Sequence, residues 1–294
     1  MKKLMWEVFA DCNYNCKECY QKAFKNNAIF NSTDASKIIE SSIKVNNFIN
    51  INNVKKIGLL GGELSLLRKE DLVTIINNFH NAKIELYTNY FRDNNYYIYI
   101  LKNVKDIILF LSFHENEKNN IYDYFKKVIN LLELIKKNNI KTKICLELII
   151  EKNNLKKFFF FLNFVHFLKK RYGNVFLALH QELQVNSEDK IISCFDYFNF
   201  YEEELKKIKD IKLLEKLKVE REKYNNIIKK VKEKKYKCTS DNETYRLDIS
   251  GKLKNFCGEG IIDDDFFGNK AYEKKIKITK CICKNYTCSE FIRY

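Results

Sequence analysis

Apolar and polar positions follow two different periods along the first 180 residues of the chain. Short apolar runs of strand length are separated by longer segments in which apolar residues recur every three or four positions. These patterns are typical of buried β-strands and amphipathic α-helices. The predicted strands are residues 4–11, 55–60, 84–87, 107–113, 143–150 and 175–179. The predicted helices between them are residues 32–50, 68–80, 95–103, 122–137 and 155–171.

This alternation of strands and helices predicts an α/β fold with a parallel sheet wrapped by helices. Connections between parallel strands are right-handed, so the sheet is expected to curl into a partial (β/α)6 barrel of the TIM type. We assign this barrel to residues 1–195. Between its flanking lysine pairs, the phenylalanine-rich helix 155–171 has only Asn163 and His166 on a polar side, which predicts burial on several sides. A dimer interface or a membrane-surface contact is the alternative for this helix.

Four segments that could carry chemistry lie at the carboxyl ends of predicted strands. The carboxyl ends of parallel strands meet at one rim of such a barrel, which is where barrel enzymes place their functional residues. These segments are therefore expected on the same rim. They are the cysteine loop with Cys12, Cys16 and Cys19, then Gly61-Gly62-Glu63, Thr88-Asn89 and Ser112-Phe113-His114.

The residue types of the first two segments indicate a metal centre beside a polar ligand. Three thiolates spaced Cys-x3-Cys-x2-Cys can bind three irons of a four-iron cluster and leave the fourth iron open. A zinc site is the alternative, and zinc would need a fourth ligand from elsewhere. Gly61 and Gly62 allow the backbone to pass close to a ligand, and Glu63 can accept a hydrogen bond from an ammonium group.

Together, these motifs resemble the signature of the radical S-adenosylmethionine (SAM) superfamily. The resemblance implies a [4Fe–4S] cluster on the three cysteines, with the methionine end of SAM chelating the open iron. It implies reductive cleavage of SAM to a 5′-deoxyadenosyl radical that abstracts hydrogen from a substrate. The SAM contacts that it implies are Gly61, Gly62 and Glu63 to the amino group, and Asn89 and Ser112 to the ribose or carboxylate. Asn89 and Ser112 could instead cap the helices that follow them.

Two residues depart from the family pattern. Glu18 precedes the third cysteine, where the family usually has an aromatic residue, and this loosens the expected contact with adenine. Leu64 follows Glu63, where proline is common, as expected in a chain that contains no proline. Neither departure removes a cluster ligand.

The tail of the chain carries a second group of cysteines. A lysine-rich helical connector, 196–235, leads to residues 236–294, in which residues 245–253 read as a β-hairpin with its turn at Ser250-Gly251. This arrangement resembles the small C-terminal cluster-binding domain called SPASM, or its shorter twitch form. The five tail cysteines suffice for one auxiliary [4Fe–4S] cluster and are too few for two. The expected ligands are Cys238, Cys257, Cys283 and Cys288, with Cys281 as an alternative. A structural zinc site is the other interpretation.

Candidate catalytic residues are fewer and rest on position alone. His114 and His180 follow the ends of predicted strands, Glu147 lies within one, and all three are expected to face the barrel interior, while Cys194 is a candidate loop thiol. Cys145 lies mid-strand and is expected to be a small core residue.

Composition and charge add little to this interpretation. The formal net charge of +15 comes from lysines spread over the whole chain, whereas nucleic-acid-binding proteins concentrate basic residues in one patch. Glu7 and Asp11 interrupt the apolar stretch that a signal peptide would need. The apolar part of helix 155–171 is too short to span a bilayer. We therefore expect a cytoplasmic protein with no specific nucleic-acid partner and no membrane span.

The resemblance implies an enzyme but leaves its substrate open. Family members with such tails often modify ribosomally made peptides, so a peptide is expected, and a small molecule or a sugar is the alternative. Because the first strand begins almost at Met1, a peptide would need a separate recognition protein or would bind the barrel mouth directly. An electron donor such as flavodoxin or ferredoxin is implied. An interpretation from another class is a basic RNA-binding protein with two zinc sites.

Overall fold

A computed structural model describes residues 1–16, 19–114, 120–150, 155–181, 244–255 and 261–276 of the protein. Its central feature is a set of parallel strands that alternate with helices. The strands are β1 (Lys3–Glu7), β2 (Lys56–Leu60), β3 (Lys83–Thr88), β4 (Ile107–Phe113), β5 (Lys143–Ile150) and β6 (Val175–Gln181). The helices are α1 (Ala35–Ile51), α2 (Lys69–Asn77), α3 (Asn94–Asn103), α4 (Ile121–Lys137) and α5 (Leu155–Tyr172).

The six strands pair in sequence order, and each neighbouring pair is parallel. Within the described residues these six strands do not close into a full barrel, since β6 does not pair with β1. This arrangement confirms the predicted α/β fold with a partial barrel. Pairs such as Glu7 with Leu60 and Thr88 with Leu111 bring the carboxyl ends of neighbouring strands together.

The two faces of the sheet differ because side chains alternate along each strand. One face, with residues such as Leu4, Trp6 and Leu59, is buried in the apolar core shared with the helices. The opposite face, which we call the lumen face, carries buried charged residues and a small apolar cluster. The charged residues include Glu7, Glu85 and Glu147, and the apolar cluster consists of Phe110, Cys145 and Ala178 with its partly buried neighbours Tyr87, Ile108 and Phe176.

The tail contributes three more strands to the same sheet: β7 (Thr244–Leu247), β8 (Leu253–Asn255) and β9 (Ile261–Asp263). The first two form the predicted hairpin, whose turn includes Gly251 with a φ of 77°. β7 pairs in parallel with β1, and Arg246 on β7 forms a salt bridge of 2.6 Å with Glu7. The hairpin thus extends the barrel sheet beyond β1. The predicted domain boundaries at 195 and 236 lie outside the described residues.

Among the described side chains of helix α5, the buried ones share one face. Phe161, Val165 and Leu168 are buried, whereas Phe160 and Phe167 are 56% and 48% exposed. The expectation of burial on several sides is therefore wrong for this helix. It packs on β5, β6 and α4, and no further described helix covers its outer side. Among the described residues, no helix is long and apolar enough to cross a membrane.

Candidate active site

The cysteine loop begins where β1 ends, and the segment after β2 holds it there. The Gly62 N–H donates to the Phe9 carbonyl at 2.6 Å, and the Glu63 N–H donates to the Asp11 carbonyl at 2.8 Å. A Cβ atom on Gly62 would lie 1.9 Å from the Asp11 oxygen, which is far inside van der Waals contact. Glycine is thus required here because two backbone segments touch, and contact with SAM remains a prediction for this motif.

The three cysteines of the loop are close enough to influence one another. Although Cys12 reaches solvent, burial by the surrounding protein raises the pKa of its thiol, and the neighbouring Glu63, Cys16 and Cys19 raise it further. The Tyr14 N–H, which donates to the Cys12 Sγ at 3.4 Å, opposes that shift. Lys17 and Glu18 are not among the described residues, so the structure does not address the unusual Glu18.

The loop does not bring the thiols together around one point. Within the described ranges, no three His, Cys, Asp or Glu side chains lie close enough to hold a single metal ion. A four-iron cluster does not require that, because each thiolate binds a different iron. The donor set of three thiols on one loop therefore fits the cluster that the sequence predicts.

Glu63 is a buried carboxylate that joins the end of β2 to the end of β3. It is 1% exposed. Its Oε1 accepts hydrogen bonds from the Ser65 N–H, the Ser65 hydroxyl and the Thr88 hydroxyl at 2.9, 2.6 and 2.7 Å, and its Oε2 accepts one from the Asn89 N–H at 2.6 Å. Burial raises the pKa of Glu63, and these hydrogen bonds oppose the shift. Both carboxylate oxygens are thus bonded within the protein, and acceptance of an ammonium group by this side chain remains a prediction.

Asn89 connects β3 to the cysteine loop. Its side chain is buried, and the Nδ2 atom lies 2.8 Å from the Asn13 Oδ1 and 3.6 Å from the Cys12 Sγ. Its Oδ1 is buried and has no hydrogen-bond partner in the described part of the chain. A buried amide oxygen without a partner is costly, and a ligand with an N–H or O–H donor at this position would remove that cost.

Ser112, His114 and Glu147 form the third part of the rim. Ser112 and Glu147 are paired in register on β4 and β5, and the Ser112 hydroxyl donates to the Glu147 Oε2 at 2.5 Å. The His114 Nδ1 lies 3.6 Å from the Cys16 Sγ. Burial lowers the pKa of His114, and the nearby Glu147 carboxylate partly opposes this. His114 therefore lies beside the cysteine loop, and Glu147 lies near His114.

Of the remaining cysteines and histidines named from the sequence, Cys145 lies within the described residues. Cys145 is buried in the apolar cluster of the lumen face, in agreement with the predicted core role. The positions outside the described part are Cys194, Cys238, Cys257, Cys281, Cys283, Cys288 and the side chain of His180.

Some residues of the site were not singled out from the sequence. Asn13 accepts a hydrogen bond from Asn89, Tyr14 donates one to Cys12, and Ser65 donates to Glu63. Thr88 was placed at the rim from the sequence, but its bond to Glu63 was not expected. The position of Asn13 between two cysteines and that of Thr88 at a strand end were the available signals. Their contacts depend on the fold, because Thr88 and Asn89 lie on the strand next to the one that carries Glu63.

A family model matches the part of the chain that carries these residues. Residues 2–120 match the family model described as "4Fe-4S single cluster domain". The match includes the cysteine loop, Gly61-Gly62-Glu63, Asn89, Ser112 and His114, and it confirms the predicted class of cluster. A search of curated proteins finds no match.

The fold has counterparts among solved structures. Streptococcus suis SuiB bound to S-adenosylmethionine aligns with a TM-score of 0.57 and 13% identity over 93% of this chain and 62% of SuiB. SuiB bound to its precursor peptide SuiA aligns with a TM-score of 0.56 and 13% identity over 93% of this chain and 63% of that one. The chain thus spans less than two thirds of SuiB. At this level of identity the likeness establishes the fold alone.

Proposed function

We propose that this protein is a radical SAM enzyme that modifies a ribosomally made peptide. The observation that carries the proposal is the docking of the cysteine loop, through Gly62 and Glu63, at the rim where Asn89, Ser112 and His114 also lie. A cluster on Cys12, Cys16 and Cys19 would supply the electron that cleaves SAM, and the protein then contributes binding and orientation.

The described residues support distinct roles at this rim. The unpartnered Asn89 Oδ1 is an acceptor suited to an N–H or O–H donor of SAM. Ser112 is bonded to Glu147 on the lumen face, so this pair is placed to orient a polar group of SAM or substrate. His114 contacts Cys16 and would shield that side of the cluster from water. Gly61, Gly62 and Glu63 shape the wall against which the loop rests.

The tail is proposed to hold one auxiliary [4Fe–4S] cluster on Cys238, Cys257, Cys283 and Cys288, with Cys281 as an alternative ligand. Support comes from the position of the hairpin β7–β8, which Cys238 and Cys257 flank in the sequence and which pairs with β1. The cysteine loop follows the carboxyl end of that same strand. An auxiliary cluster near β1 would bind substrate or accept an electron after hydrogen abstraction.

A peptide substrate is favoured because SuiB, which shares the fold, has been solved with a precursor peptide. A small molecule or a sugar is the alternative substrate. We further propose flavodoxin or ferredoxin as the electron donor, a separate recognition protein if a peptide does not bind the barrel mouth directly, and a cytoplasmic location.

The activity is tested with protein purified without oxygen. With dithionite and SAM it should yield 5′-deoxyadenosine and methionine, and a variant with Cys12, Cys16 and Cys19 all replaced by alanine should yield neither. The unsubstituted protein should be brown and sensitive to oxygen. Cluster-loaded protein that leaves SAM intact would contradict the proposal. A colourless protein that binds RNA with a steep dependence on salt would favour the zinc-protein alternative.

A further inference from the structure

The main chain at Asn89 is fixed from three directions. The Asn89 N–H donates to the buried Glu63 carboxylate at 2.6 Å. Tyr90, which follows, is buried with a φ of 60°, a conformation uncommon for a residue other than glycine. Its N–H donates to the Thr88 hydroxyl at 3.1 Å, and its carbonyl accepts a hydrogen bond from the Lys127 Nζ. The side chain of Asn89 therefore starts from a backbone that has little freedom to turn.

The Asn89 amide is directed at the cysteine loop. Its Nδ2 carries two hydrogens, and the two acceptors within reach are the Asn13 Oδ1 at 2.8 Å and the Cys12 Sγ at 3.6 Å. In the structure the nitrogen of the amide faces both acceptors. Together with the Tyr14 N–H at 3.4 Å, Asn89 gives the Cys12 sulfur two N–H donors from two parts of the chain.

We propose that Asn89 sets the reduction potential of the cluster by donating an N–H···S hydrogen bond to Cys12. This inference rests on the proposed function, since it requires a cluster on the cysteine loop. Hydrogen bonds to cluster sulfurs are one of the means by which proteins adjust cluster potentials. The added electron increases the negative charge on the sulfurs, so a donor stabilises the reduced form more than the oxidised form. Asn89 is thus a positioning residue that acts on the cluster through Cys12.

The test is a redox titration of reconstituted protein without SAM, with the reduced cluster followed by electron paramagnetic resonance. The signal that changes on later addition of SAM identifies the cluster on the cysteine loop. Asn89→Ala removes the donor and should move the midpoint to a more negative potential. At the midpoint of the unsubstituted protein, the ratio of reduced to oxidised cluster should fall several-fold.

Two further variants separate this effect from a general loss of structure. Asn52 is also a buried asparagine, bonded to the Phe48 and Lys274 carbonyls at the end of α1 that precedes β2, and Asn52→Ala should leave the midpoint unchanged. Asn13→Ala removes the competing acceptor and leaves the Asn89 donor in place. Its midpoint should not become more negative.

Each outcome decides the proposal. A midpoint in Asn89→Ala equal to that of the unsubstituted protein would overturn the tuning role while leaving the proposed function intact. If Asn89→Ala takes up no cluster and Asn52→Ala does, Asn89 is needed to assemble the site, and its assignment as a tuning residue is wrong. An unsubstituted protein that takes up no cluster at all would overturn the proposed function itself.

Discussion

At the scale of single residues, the positions of the site could be predicted from the sequence, but their contacts could not. The cysteine spacing and the Gly-Gly-Glu motif identify residues whose chemistry is unusual at strand ends. The sequence does not show that the Glu63 carboxylate accepts hydrogen bonds from Ser65, Thr88 and Asn89. Those bonds depend on the pairing of β2 with β3, which local pattern does not specify.

The two glycines that follow β2 were expected to make room for a ligand, whereas the structure shows them against the cysteine loop. We therefore expect Gly62→Ala to lower the free energy of unfolding by about 3 kcal/mol or more, because the added methyl group would meet the Asp11 backbone. Iron uptake should fall with it, since the loop can no longer dock. Urea unfolding of the metal-free protein and iron content after reconstitution measure the two effects.

Gly58 offers the matched control for this substitution. A Cβ atom there would meet the Met5 Sδ at 2.5 Å, but that atom lies near the end of a flexible side chain, which can move aside. Gly58→Ala should therefore cost less than about 1 kcal/mol and should retain iron uptake. Equal losses in the two variants would show that the close approach at Gly62 has no special role.

At the scale of elements, hydrophobic periodicity predicted the positions of the strands and helices well. It predicted less well which faces of the helices are buried. β4 and β5 have the predicted bounds, and α4 begins one residue earlier than predicted. The first strand ends at Glu7 rather than at residue 11. Phe9 and Asp11 accept hydrogen bonds from Gly62 and Glu63, but these bonds do not continue the strand pairing. The near-continuous aromatic pattern of α5 carried no information about which side would meet the sheet.

The one-sided burial of α5 can be measured with two adjacent phenylalanines. Phe161 is fully buried against Phe113, Phe125 and Tyr124, whereas Phe160 is 56% exposed. We expect Phe161→Ala to lower the free energy of unfolding by about 3–5 kcal/mol. Phe160→Ala should change it by about 0.5 kcal/mol or less. Chemical denaturation of both variants tests this, and a large loss for Phe160→Ala would mean that another part of the chain or a partner covers the outer face.

At the scale of the whole molecule, one sheet runs from β6 through β1 to the tail hairpin. The hairpin itself could be predicted from its turn residues and alternating pattern. Its position could not, because β7 pairs with β1, which lies at the opposite end of the chain. In the structure the Glu7–Arg246 salt bridge links these two strands. The consequence is that the tail cysteines flank a hairpin attached to the same strand that leads into the cysteine loop.

This arrangement gives the tail cysteines a testable role that is independent of the first cluster. In a variant with Cys12, Cys16 and Cys19 replaced by alanine, we expect the anaerobically prepared protein to retain iron at the level of one four-iron cluster, held by the tail. Metal analysis and the visible absorption spectrum measure this, and the further loss of Cys238 and Cys257 should remove the remaining iron. Zinc without iron in the first variant would mean that four tail cysteines form a structural zinc site, while iron lost from both variants would leave the cysteine loop as the only cluster site.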